Sequence, residues 1–225
     1  MTTTGRASVT TATADDHVLG DPAAPVTVLE YGDYECPYCA AAAPVLRQLV
    51  EESEGRVRLA FRNFPLAEVH PFALTAALAA EASAAQGAFW PMHTLLFTHQ
   101  DRLDDAALRA YGDELGIDGS RLVGEAAQPY ADKVEADFAA GVEAGVPGTP
   151  TLFIEGRLYT GRVELGALRR AVGMASGPAA ESGTDRGGDP RPRRKGRWSL
   201  GFRRAQGEPL AEDPEQDDPG DGGGY

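Results

Sequence analysis

Pro25-Val26-Thr27-Val28-Leu29-Glu30-Tyr31, followed closely by Cys36-Pro37-Tyr38-Cys39, decides how this chain is read. The first stretch is an apolar run with the character of a strand buried on at least one face. The second holds both of the chain's 2 cysteines, three positions apart. A strand that delivers two thiols to the first turn of a helix suits thiol–disulfide exchange. Unpaired N–H groups and the macrodipole at a helix start favour negative charge, so Cys36 is the candidate nucleophile, held as a thiolate and expected to be exposed. Cys39 lies one turn further on, where a more buried thiol of higher pKa can resolve a mixed disulfide.

Two cysteines at this spacing cannot form a structural disulfide framework, which leaves redox or metal chemistry. Zinc is disfavoured. The remaining ligands would come from His17, His70, His93 and His99; no second C-x-x-C follows, and His93 and His99, six positions apart, face different directions on a helix. No metal and no organic cofactor is therefore expected. A net charge of −13 argues against sequence-independent nucleic-acid binding. No stretch approaches the roughly 18 apolar residues of a membrane span. Met1–Ala14, rich in Thr and Ala, lacks the charged-then-apolar layout of a secretory signal. A cytoplasmic location is expected on that ground.

The 225 residues allow one substantial domain with appendages, and the 42% hydrophobic share suggests that part of the chain does not pack. Residues 1–14 look like a flexible leader and residues 15–175 carry folded-domain periodicity. Residues 176–225 hold 11 Gly and 6 Pro, a breaker content typical of disorder, with a basic block (Arg186–Arg204) followed by an acidic one (Glu208–Asp221). That segment is read as a disordered polyampholyte tail. Within the domain the predicted order is strand (26–31), helix (39–52, kinked at Pro44) and strand (57–61). A helical block over about 68–145 follows, with segments at 70–86, 89–100, 104–115, 118–127 and 129–144. A hairpin (151–154, 157–159) and a last helix (164–174) close it. Asp104 and Asp118 are candidate N-caps. Phe89, Trp90 and Phe97, with Phe72, could line a peptide groove beside Cys36; core packing is the favoured alternative.

Asp33-Tyr34-Glu35-Cys36-Pro37-Tyr38-Cys39, Phe61-Arg62-Asn63-Phe64-Pro65-Leu66, Phe89-Trp90 and Gly148-Thr149-Pro150-Thr151 together resemble the DsbA-like thiol–disulfide oxidoreductases over roughly residues 16–175. The nearest branch is the bacterial group whose domain also occurs fused behind NhaA-type sodium/proton antiporters. The resemblance implies an α/β, thioredoxin-like fold with an inserted helical subdomain. It implies a monomer that exchanges disulfides with protein or peptide thiols, together with an unidentified recycling partner.

The resemblance also extends the site. Glu30 occupies the place of a family acid below the second cysteine; buried there, its pKa would rise and it could accept the Cys39 proton. Pro37 and Tyr38 tune the couple. The neutral tyrosine stands where the family's periplasmic oxidant has histidine, and Asp33 and Glu35 add negative charge near Cys36. A less oxidising couple is therefore expected. Thr149-Pro150 matches the cis-proline loop that faces the cysteines, leaving Thr149 backbone groups free to pair with an extended substrate peptide. Two alternatives remain open: a glutathione-dependent transferase or isomerase on the same fold, and a redox-sensing binding module.

Overall fold

Residues 8–174, which this computed structural model describes, run β1 (His17–Leu19), β2 (Val26–Gly32), α1 (Pro37–Glu51), β3 (Val57–Asn63), α2 (Ala73–Ala84), α3 (Phe89–Thr98), α4 (Asp105–Glu114), two 3-10 segments (Gly119–Leu122, Gly124–Tyr130), α5 (Ala131–Glu143), β4 (Thr151–Ile154), β5 (Arg157–Leu158) and α6 (Leu165–Ala171). The strands form one sheet in the order β1-β3-β2-β4-β5. β2 and β3 are parallel, joined through α1; the other neighbours pair antiparallel. This is the expected thioredoxin-like fold, with the helical insertion between β3 and β4.

Strand periodicity sorts β2 between two layers. Val28 packs with Leu46 and Leu49 of α1 and Leu168 of α6. Leu29 and Tyr31 face the other way, against Phe153 and, from α5, Ala140. Glu30, in step with Val28, is thereby directed under α1, paired in register with Phe61 on one side and Leu152 on the other. The insertion has its own core, where the alanines of α2 let α3 and α4 approach closely. Tyr34, Cys36 and Cys39 belong to that cluster, so the cysteines sit where sheet and insertion meet.

Several local expectations shift. His17–Leu19, too short to carry a periodic signal, forms the edge strand β1. Pro44 lies inside α1, as the predicted helix 39–52 had it. Asp104 caps α4 through Ala106 N and Ala107 N, and Asp118 caps a 3-10 turn rather than an α-helix. A side chain at Gly119 would meet the Arg109 carbonyl, and Gly124 has φ +61°, so residues 119–130 follow a tight broken path. α2 starts at Ala73 rather than at His70, where Pro71 disfavours helical geometry in the residue before it.

The leader expected to be flexible over 1–14 is anchored within its described part. Buried Arg62 donates to Ser8 O (3.0 Å) and Thr11 O (3.3 Å), and pairs with Asp16 at 2.7 and 2.8 Å. The Tyr31 hydroxyl donates to Val9 O (2.6 Å). Residues 1–7 and the tail expected over 176–225 lie outside the described residues. Removing one member of a buried ion pair strands its partner, so Arg62→Met is expected to destabilise the domain by about 3 kcal/mol in urea unfolding and to speed proteolysis before residue 17.

Candidate active site

The β2 strand ends at Gly32, and the turn Asp33-Tyr34-Glu35 places Cys36 at the N-cap of α1 with extended backbone. Cys36 supplies no side-chain cap, and Pro37 opens the helix, where a missing N–H costs nothing. Cys36 N donates to Asp33 O (3.1 Å), and the Asp33 N–H reaches Cys39 Sγ (3.5 Å). Gln100, just after α3, clamps the same turn by donating to Tyr34 O (2.7 Å) and Cys36 O (2.9 Å). Both cysteines are free thiols. The Thr149–Pro150 bond is cis, and Thr149 O accepts the Cys36 thiol at 3.3 Å.

That last contact changes two expectations. Cys36 is only 4% exposed, covered by the proline loop and the insertion core, while Tyr38 beside it is 74% exposed. The Thr149 carbonyl, expected to be free for a substrate backbone, is occupied by Cys36. The Thr149 hydroxyl is buried without a partner. Thr149 and Pro150 thus come together with Cys36, Cys39 and Pro37.

The two sulfurs are driven apart in acidity. The Cys36 pKa falls to about 5. The main cause is the hydrogen bond from the Cys39 thiol; the Cys39 and Tyr38 N–H groups help, against burial. Cys39, 0% exposed, is pushed far up by burial, then by its bond to Cys36 and the charge of Glu30. Glu30 is itself fully buried, and neither carboxyl oxygen has a hydrogen-bond partner. Burial first, and the Cys36 charge second, raise its pKa to about 8.

Asp33 and Glu35 do not sit as loose anions beside Cys36. Asp33 is buried and accepts from Glu35 N, Leu66 N and His70; Glu35 accepts from Phe72 N. Phe89 and Phe97 are core residues, and Trp90 donates to Val18 O (2.9 Å) to hold β1. Among the described residues no group of three His, Cys, Asp or Glu is placed to hold a metal. His17 pairs with Glu81 at 2.8 Å, and buried His93 meets the Tyr34 hydroxyl at 3.2 Å. Gln100 escaped the sequence reading, and His70 entered it only as a possible zinc ligand. Nothing in their own neighbourhoods marks a contact that joins positions tens of residues apart.

The sequence profile of the family described as Thioredoxin matches residues 12–173. A Na(+)/H(+) antiporter NhaA 3 of Salinispora tropica is 46% identical over 158 residues, covering 70% of this chain and 24% of that protein. The chain thus spans about a quarter of the length of the curated relatives it matches. Among solved structures, a thioredoxin-like oxidoreductase from Silicibacter pomeroyi DSS-3 is 31% identical with a TM-score of 0.65, covering 75% of this chain and 96% of that one. The thiol-disulfide exchange protein alpha-DsbA2 of Wolbachia pipientis is 25% identical with a TM-score of 0.62, covering 71% of this chain and 87% of that one.

Burial of Glu30 makes stability pH-dependent. Its pKa is about 8 in the folded chain against 4.5 ordinarily, so its contribution is complete below about 4.5 and is lost as pH rises towards 8. Glu30→Gln, an isostere of the protonated carboxyl, is expected to stabilise the reduced protein by about 3 kcal/mol at pH 7 and by almost nothing at pH 4. Urea unfolding at both pH values checks this; an equal gain at the two would contradict a protonated Glu30.

Proposed function

The chain belongs to the thioredoxin family, in its DsbA-like form, and from that premise we propose that it exchanges disulfides with protein or peptide thiols through Cys36 and Cys39. The observation that carries the reading is the acidity split of the sulfur pair, one thiol near 5 and its neighbour far above the ordinary range. At neutral pH that pair is one thiolate and one thiol, sharing a proton along the bond between them.

Cys36 thiolate attacks one sulfur of a substrate disulfide. The substrate S–S bond breaks, a Cys36–substrate mixed disulfide forms, and the displaced substrate thiolate takes a proton from water. The Cys36 charge is now gone. That charge had raised the pKa of both Glu30 and Cys39, so both groups ionise more readily at this stage. As its pKa falls, Glu30 gives up its own proton to solvent; the carboxylate so formed accepts the Cys39 proton, and Cys39 attacks Cys36 Sγ. The Cys36–Cys39 disulfide forms and the second substrate thiolate leaves reduced. Run backwards, the same steps oxidise a dithiol. Ionisation of Cys36 removes its donation to Thr149 O and frees that carbonyl, which a substrate backbone can then use.

Support for the reductase direction comes from the Cys36 value of about 5, which lies between the roughly 7 of thioredoxin and the roughly 3.5 of DsbA. A less stabilised thiolate gives a less oxidising couple than DsbA. The reading carries with it a monomer in a reducing compartment such as the cytoplasm, with a recycling partner.

Cys36→Ala is expected to abolish reduction of a peptide disulfide. Cys39→Ala is expected to stall at a mixed disulfide that mass spectrometry detects and dithiothreitol releases. A Cys39→Ala protein that captures many cellular thiols behaves as an exchange enzyme; capture of one protein alone would overturn this in favour of a sensor.

A further inference from the structure

Asp33 joins the cysteine turn to a distant loop. Its backbone contacts both cysteines, through Cys36 N (3.1 Å) and Cys39 Sγ (3.5 Å). Its Oδ1 accepts from Glu35 N (2.8 Å); its Oδ2 accepts from Leu66 N (2.8 Å) and from Nδ1 of His70 (2.8 Å). Glu35 adds a second tie to the same loop through Phe72 N (2.7 Å). Residues 66–72 are thereby fastened to the turn that carries the sulfurs. His70 keeps partial access to solvent, while the Asp33 side chain has none.

The charges at this junction are unequal. Asp33, Glu35 and the Cys36 thiolate are three anionic groups, and Pro37 and Tyr38 bring no charge. These three anions are the groups that act on His70. Burial works against a charged imidazole, but the bond to Asp33 and then the charges of Asp33, Cys36 and Glu35 outweigh it, and the His70 pKa is raised. Coupling between two protonation sites is reciprocal. If the thiolate raises the proton affinity of His70, a protonated His70 lowers that of Cys36 by the same factor.

We propose that His70, seated on Asp33, is a positioning residue that tunes the charge of the sulfur pair: its imidazolium stabilises the Cys36 thiolate and thereby makes the couple more oxidising while His70 holds its proton. The inference rests on the exchange reading and adds a regulator to that site. Reduction of the Cys36–Cys39 disulfide by two glutathione molecules forms one glutathione disulfide. It releases two thiol protons: one goes to Cys39, the other to neutral His70 or to solvent. Cys36 stays as thiolate. Proton uptake by His70 on reduction therefore offsets the shift toward the protein disulfide that acid would otherwise cause through the net proton released.

The test uses the full chain equilibrated in glutathione buffers across the imidazole titration range. At the acid end, His70→Gln is expected to shift the equilibrium about tenfold toward the protein disulfide, equivalent to about 30 mV. Its thiolate, followed by ultraviolet absorbance, should form at higher pH. At the alkaline end, where wild-type His70 is neutral, the two proteins should converge. His70→Lys, with a lasting cation, should keep the low Cys36 midpoint and remain more oxidising than wild type at alkaline pH. It reads the same charge if His70→Gln does not fold. Identical curves at every pH overturn the proposal, and so does a displacement of constant size, which marks a purely structural latch. If wild type fails to equilibrate with glutathione, the exchange reading falls instead. The absorbance titration needs no exchange partner and still decides the role of His70.

Discussion

The hydrogen bond between the two sulfurs at the first turn of α1 is what the rest of the site depends on. It is the largest influence lowering Cys36, and its counterpart raises Cys39, so one contact makes the nucleophile and protects the resolving thiol. The surrounding structure keeps that contact in place. Pro37 starts the helix, Asp33 reaches both cysteines through its backbone, Gln100 fixes two carbonyls of the turn, and the Thr149–Pro150 loop, leading into the neighbouring strand β4, lies against Cys36.

Function and stability conflict at Glu30. A carboxyl with no exposure and no partner on either oxygen is costly to ionise, and an apolar residue in its place would pack without that cost. The same isolation brings its pKa close to neutrality, where a group can both take and give a proton. The sheet register keeps the carboxyl there. Flanked by Phe61 and Leu152, Glu30 cannot turn to water without breaking β2, the strand that positions the cysteines.

Much of the architecture was legible because it rests on local rules. The apolar run over 26–31 marked β2, the apolar positions after Cys39 marked α1, and Asp104 marked the start of α4. Local rules failed where distant atoms decide. β1 has three residues and exists because β3 offers it an edge. Residues 119–130 give up α-helical geometry because Gly119 must pass close to the α4 backbone. Residues 8–11 are ordered by Arg62, some fifty positions later in the chain. Asp33 and Glu35, counted along the sequence as charges that oppose the thiolate, turn out to be hydrogen-bonded to the loop that brings in His70.

The sequence by itself determined that two thiols would stand at a helix start behind a buried strand, since spacing, strand period and the proline at the first helical position are short-range and survive in almost any packing. Only the tertiary structure decided what those thiols are worth. Cover over Cys36, the isolation of Glu30 and the pairing of Asp33 with His70 each require segments far apart in the chain to meet. Acidity responds to the dielectric and the charges that such meetings create, which no local run of residues contains.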